Sequence, residues 1–352
     1  MRYLPPRFAP RCRVAFAAAH VVASSPDTVD WDLTLAYRRH LWSYGLGVAE
    51  AMDTAQRGMG LGWQAARELM VRSLAEARAA GGEIVCGAAT DQLGEPLQRP
   101  LEEIIDAYCE QCALIEDAGG RVVVMASRHL ARSATSRHDY ERVYREVLSG
   151  LRRPAIIHWL GEMFDPALAG YWGSPVLSDA AEVCLAILNA NREKVDGVKV
   201  SLLDAARERD LRSRLPAGVR MYTGDDFNYP ELVRGDGTHH SHALLGILDA
   251  IAPAFSAALV AADAGEWDAY DRILAPTVDL ARHVFAPPTY QYKAGIVFLA
   301  WLNGHQPRFQ LLGQLEAGRS IEHYGRLLVL ADRSGLLVDP ELAAFRMRSI
   351  LE

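Results

Sequence analysis

Short, continuous runs of apolar and β-branched residues alternate along the first two thirds of the chain with longer stretches of helical periodicity. The runs are RVAFAAAHVV from Arg13, GLGVAEAMD from Gly45, GEIVCGAATD from Gly82, GRVVVMAS from Gly120, PAIIHWLG from Pro154, DGVKVSLL from Asp196 and VRMYTGDD from Val219. An eighth, weaker run lies around GTHHSHALLG. Between them stand amphipathic stretches such as GWQAARELMVRSLAEARAAGG, PLEEIIDAYCEQCALIEDAGG and SRHDYERVYREVLSG, several closed by the glycine that helix C-termini prefer. Strands that are apolar throughout, rather than alternating, belong to a parallel sheet covered on both faces. Eight such units predict an α/β fold, a (β/α)8 TIM barrel, over residues 1–250. After about residue 250 only helical patterns remain, in IAPAFSAALVAADAGEWDAYDRILAPTVDLARHVF, YKAGIVFLAWLNG and SIEHYGRLLVLADRSGLL. With no Ser/Gly-rich linker before them, residues 251–352 are expected to form a helical cap packed on the barrel as part of one structural unit.

Composition narrows the function classes. The net charge of −7 argues against nucleic acid or an anionic membrane as the main partner. No apolar run reaches the roughly 18 residues of a membrane span. The basic, alanine-rich start superficially resembles a signal peptide. Two prolines and several arginines precede its short apolar run, which reads better as a first buried strand. Five scattered cysteines fit reduced thiols and a cytoplasmic location better than a disulfide framework. The CEQC at Cys109 to Cys112 lies within a helical pattern with no second pair, so one helix face is expected rather than a zinc or redox site. No strand is followed by a dinucleotide fingerprint, and GMGLGW from Gly58 lacks the strand-adjacent spacing.

Chemistry in such barrels sits at the C-terminal ends of the strands. That rule selects Glu50, Asp53 and Thr54, then Thr90 and Asp91, then Ser127, Arg128 and His129. It continues with His158, Glu162 and Asp165, with Lys199 and Ser201, and with Asp225 and Asp226. Lys199 stands out because the chain has 34 arginines and only three lysines. Lys194 and Lys293 read as having ordinary polar or turn-like surroundings, whereas Lys199 interrupts an apolar strand. A buried ammonium costs on the order of several kcal/mol unless it is paired or neutralised. It is therefore either a structural ion pair or an amine of lowered pKa able to act as a nucleophile.

The string DGVKVSLLDAARERDLRSRLPAGVRMYTGDD resembles the dihydrodipicolinate synthase / N-acetylneuraminate lyase superfamily of class I aldolases. There a G-[IV]-K-x-[SAT] strand carries the Schiff-base lysine and an SGDD-like strand follows one helix later. VDWD near Asp30, IAPAF and YKAGIVFLAWLNG are similar to further segments of that superfamily. HWLGEMFDPALAGYWGS resembles a divergent, mostly uncharacterised branch of it. The resemblance implies Lys199 as imine-forming nucleophile, a small carbonyl substrate, no cofactor, and a homo-oligomer, dimer or tetramer.

Three departures from the pattern bear on substrate. The tyrosine of the YNVP strand end, which relays protons, is here His158, an imidazole able to do acid–base work near neutral pH. The T-T-G-E loop that cradles a carboxylate is replaced by AEAMDTAQ, keeping Thr54 and adding Asp53, an acid expected to repel a keto acid. Glu162 and Asp165 stand where an arginine is expected. These changes suit a keto sugar or sugar-derived keto acid whose hydroxyls acids can bind. The expected site is Lys199 and His158 as catalytic residues. Asp53, Thr54, His129, Glu162, Ser201, Asp225 and Asp226 bind substrate, with no metal.

Blander readings stand beside these. His158 serves equally as a hydrogen-bonded core histidine, and Asp225 and Asp226 as helix caps. THHSH, with His239, His240 and His242, reads as structural or substrate-contacting rather than as a metal site. Glu50, Glu162, His158 and Asp226 could assemble a divalent-metal sugar isomerase or epimerase. A barrel without catalysis, binding a ligand, is the third reading.

Overall fold

The computed structural model describes residues 3–350. Eight parallel strands close into a barrel: β1 (Ala15–Ala18), β2 (Gly47–Glu50), β3 (Ile84–Ala88), β4 (Arg121–Val124), β5 (Ala155–Leu160), β6 (Val195–Ser201), β7 (Arg220–Thr223) and β8 (His242–Leu245). Each of the eight apolar runs supplies one strand, so the TIM-barrel expectation holds. A small antiparallel hairpin (Ala23–Ser25 with Thr28–Val29) follows β1.

Alternation along each strand sorts side chains between two compartments. Phe16, Ala18, Ala49, Val85, Val123, Ile156, Tyr222 and Leu244 fill the lumen. Val48, Cys86, Val122, Ile157, Trp159, Val198 and Val200 face the surrounding helices. The bulky Phe16 and Tyr222 rings occupy the lower lumen, where Gly47 and Gly197 make room for them. A Cβ on Gly47 would lie 2.4 Å from the Phe16 ring and one on Gly197 2.7 Å from the Tyr222 ring.

Helices start where local chemistry stops the strands' extended backbone. Asp30 caps Trp31–Ser43 by accepting from the Leu33 N–H at 3.0 Å, and Ser136 with Asp139 forms a capping box on Arg137–Ser149. The CEQC cysteines lie on one helix, Leu101–Asp117, as free thiols.

Beyond β8 the long helical run proves to be two helices, Leu248–Asp263 and Trp267–Val284, parted at Gly265 with φ +80°. Leu248–Asp263 packs on β1 and β8. Tyr292–Leu302 has every residue buried and is surrounded by Leu248–Asp263, Trp267–Val284, Ile321–Arg333 and Pro340–Ser349. The last of these begins with Asp339 capping and Pro340 in the first turn, a start signal the reading of the sequence passed over. Among the described residues no helix is long and apolar enough to cross a membrane.

Candidate active site

Lys199 lies near the C-terminal end of β6, between two outward-facing valines, so its side chain points into the lumen. It pairs in register with His158 of β5 and Tyr222 of β7. A small cavity of about 10 Å³ lies at its tip, close to the room one water needs. The cavity is walled by Ala18, Asp53, Thr54, Ser201, Asp226 and Tyr292 among others. Gly224, of TGDD, is what lets β7 approach so closely. A Cβ there would meet Ser201 Oγ at 2.1 Å, the Val200 carbonyl at 2.8 Å and Lys199 Cε at 2.9 Å.

Among the described residues, the Lys199 side chain makes no hydrogen bond and no ion-pair contact. Burial pulls its pKa down to about 8, against the opposing pull of the Asp226 and Asp53 carboxylates. Asp226 accepts the Ile247 N–H at 2.8 Å. Burial pushes its carboxyl up to about 7, offset in part by that N–H and by Lys199. Burial thus disfavours charge on both the amine and the acid, which favours the neutral amine that a nucleophilic lysine requires.

The cap contributes the rest. The N-terminus of Tyr292–Leu302 drops onto the barrel mouth, placing the Tyr292 hydroxyl 2.8 Å from Thr54 Oγ1. Burial and the nearby Asp53 hold the phenol well above its ordinary pKa, so it stays protonated. The Tyr292 ring stacks on Phe285 at 4.3 Å and meets Phe164 edge-on at 6.0 Å. Phe164 and Tyr292 line the cavity, and Phe285 backs the Tyr292 ring. Next to Tyr292, Lys293 Nζ lies 2.9 Å from Asp53 Oδ2 and donates to the Tyr290 carbonyl at 3.1 Å.

With the geometry in place, kinship can be read. The family described as "Protein of unknown function (DUF993)" matches residues 3–352. The chain belongs to that family. No curated protein matches the DUF993 chain in sequence. Among solved structures it is similar to YagE from E. coli K12, a prophage protein of the dihydrodipicolinic acid synthase family in complex with pyruvate. That match has a TM-score of 0.71 and 13% identity, covering 92% of this chain and 99% of that one. A dihydrodipicolinate synthase from Acinetobacter baumannii, complexed with pyruvate, gives 0.69 and 12%, covering 93% and 100%. The synthase from Aquifex aeolicus gives 0.68 and 14%, covering 92% and 99%. At such identities the likeness is one of fold. The DUF993 chain shares the barrel fold of these synthases.

Of the expected site residues, the DUF993 fold brings Lys199, Asp53, Thr54, Ser201 and Asp226 around one cavity. His158 lies behind Ser201, its Nε2 3.2 Å from the Ser201 Oγ and its Nδ1 buried without a partner. Burial and Lys199 hold its pKa well below the ordinary value, so the ring is neutral. Asp225 turns away: its carboxylate accepts from the Phe227 and Asn228 N–H groups and from the Asn228 side chain. Glu162 is exposed and lines a separate groove with Met163, Ser174 and Pro175. His129 lines an adjoining cleft of about 80 Å³ that shares Asp53 and Leu160 with the Lys199 cavity. Both its ring nitrogens are engaged, by Thr90 at 2.9 Å and by the Gly94 carbonyl at 2.8 Å, so it holds the cleft wall in shape.

Two expectations are corrected. Lys293 is not in ordinary surroundings but 1% exposed and ion-paired at the mouth. Its charge offsets Asp53, which removes the argument that Asp53 repels a keto acid. Glu50 faces outward from β2 into a bidentate pair with Arg38, 2.8 Å on each arm, so the metal set of Glu50, Glu162, His158 and Asp226 does not converge. THHSH lies at the opposite, N-terminal end of β8, where His242 Nδ1 accepts the Val14 N–H. Sequence reasoning missed Tyr292 and Lys293. The available signal was a lysine opening an otherwise apolar helix, a pattern that marks full burial.

Proposed function

We propose that the DUF993 chain is a class I aldolase-type lyase that forms an imine through Lys199 with a small carbonyl compound. The single observation that carries this reading is a buried lysine with no side-chain hydrogen bond or ion pair among the described residues, at the mouth of a TIM barrel and sharing one cavity with Asp226. Asp226 takes the proton from the Lys199 ammonium, and the neutral amine adds to the carbonyl carbon. Loss of water from the carbinolamine leaves an iminium. That iminium accepts the electron pair of the bond between the adjacent carbon and the hydroxyl-bearing carbon beyond it; the hydroxyl gives up its proton, the far fragment leaves as an aldehyde, and an enamine remains. Protonation of the enamine and addition of water return free Lys199. The Thr54–Tyr292 hydroxyl pair lines the cavity as a proton donor and acceptor, and it takes the part first expected of His158. His158 orients Ser201 from behind.

Keto sugars and sugar-derived keto acids are the substrate class. Asp53, Asp226, Thr54 and Ser201 offer partners for substrate hydroxyls, and the Lys293 charge makes a carboxylate acceptable. The test is incubation with a panel of keto acids, pyruvate included, and keto sugars, followed by borohydride and intact-mass measurement. A substrate-sized mass gain in the wild type that is absent in Lys199→Arg supports the proposal. Equal gains in both proteins refute it.

A further inference from the structure

Asp53 stands between two buried lysines. It lines the Lys199 cavity and acts on the Lys199 ammonium through space, yet its direct partner is Lys293, 2.9 Å away. Lys293 does not line that cavity. Its ammonium is anchored by Asp53, by the Tyr290 carbonyl and by Met59 Sδ at 3.5 Å, and it lies 4.7 Å from the centre of the Tyr292 ring. These are the contacts an ammonium group makes.

We propose that Lys293 is a positioning residue for the imine chemistry: by drawing on the Asp53 carboxylate it weakens that second counter-charge on Lys199 and leaves the amine more reactive. The inference rests on Lys199 being the nucleophile. The groups facing Lys199 are Asp53 after β2, Asp226 after β7, neutral His158 on β5 and the protonated phenol of Tyr292 from the cap, with Asp225 acting on Asp226 from outside. Of the two carboxylates that act on Lys199, Asp53 is the one in direct contact with a second cation. Without Lys293, Asp53 would act on the Lys199 ammonium unopposed, beside Asp226, and hold its proton more firmly. Without Asp53, the Lys293 charge would instead repel that proton. Removing both returns the local charge to its starting value.

Carbamoylation of Lys199 by cyanate reports the neutral amine and needs no substrate. Its outcome is therefore independent of whether borohydride trapping succeeds. The full-length protein is labelled across pH 6 to 10 and the Lys199 peptide quantified by mass spectrometry, each variant as a ratio to wild type. At pH 7, Lys293→Met is expected to slow labelling about tenfold, one unit of proton affinity. Asp53→Asn is expected to speed it several-fold, and the double variant to lie within about twofold of wild type. Lys293→Arg keeps the charge and should retain the wild-type profile. Two single variants moving in the same direction, or a double variant that stays shifted, would overturn the proposal. If Lys293→Met does not fold, Asp53→Asn and the double variant decide alone. Faster labelling in the first with recovery in the second supports it, and any other pattern rejects it.

Discussion

Lys293 Nζ holds the Asp53 carboxylate at 2.9 Å and the Tyr290 carbonyl at 3.1 Å, while the Lys199 side chain, facing the same aspartate from the barrel side, has neither hydrogen bond nor ion pair among the described residues. Both ammonium groups are buried, at 1% and 7% exposure. Lys293 satisfies the rule that buried charge is compensated, and Lys199 violates it. A fold that supplies a partner to one lysine and withholds it from the next has not run short of carboxylates. Asp226 is within reach of the same cavity and is itself pushed towards its neutral form. Uncompensated polar groups of this kind concentrate where stability is exchanged for reactivity.

Stability measurements separate the two lysines most widely. Lys293→Met leaves Asp53 without its cation and is expected to cost about 3 kcal/mol, the scale of a broken buried pair. Lys199→Met removes only an unpaired, desolvated charge and should cost less than about 1 kcal/mol or stabilise the fold. Urea unfolding of both variants tests this, and equal losses would erase the distinction. Next in size, Gly224→Ala forces a methyl against Ser201, Lys199 and the Val200 carbonyl. It is expected to lower stability by about 2 kcal/mol and to reduce borohydride trapping, a joint effect that a purely structural glycine would not show.

Stability should also depend on pH through Lys199. Its folded-state pKa of about 8 lies below the ordinary 10.5, so between those values the unfolded chain binds more protons. The folded state is then favoured increasingly as pH rises through that window, by about 1 kcal/mol per unit. The difference between wild type and Lys199→Met should grow accordingly from pH 8 to pH 10, and a flat difference would contradict the lowered pKa. Smallest of all, Tyr292→Phe keeps the ring stack and loses the bond to Thr54. A cost of about 1 kcal/mol in thermal unfolding is expected, together with slower proton exchange on any trapped carbonyl compound.

The barrel was legible because most strands are nearly continuous apolar runs and several of the helices between them, such as Trp63–Ala80 and Arg137–Ser149, end at a glycine. Lys199 was legible for the same reason: one lysine inside β6 breaks a pattern that spacing alone establishes. Lys293 was not. Its helix begins just after the turn-like APPTYQ, and its burial comes from four helices that pack around it, one of them Pro340–Ser349 at the far end of the chain. Asp225 and Asp226 are neighbours after one strand, and only the backbone path decides which caps the loop and which faces the amine. Glu50 follows strand alternation outward with Val48, a parity that the loop-end rule for barrels overlooked. Glu162 lies beyond the end of β5, where alternation no longer applies.

Three lysines make the central claim open to one direct measurement. After borohydride trapping with the carbonyl panel, peptide mass spectrometry can assign the adduct among Lys194, Lys199, Lys293 and the N-terminal amine. The account predicts modification of Lys199 alone, with Lys293 left unmodified behind Asp53. An adduct carried by Lys293, Lys194 or the N-terminus, with Lys199 untouched, would contradict it.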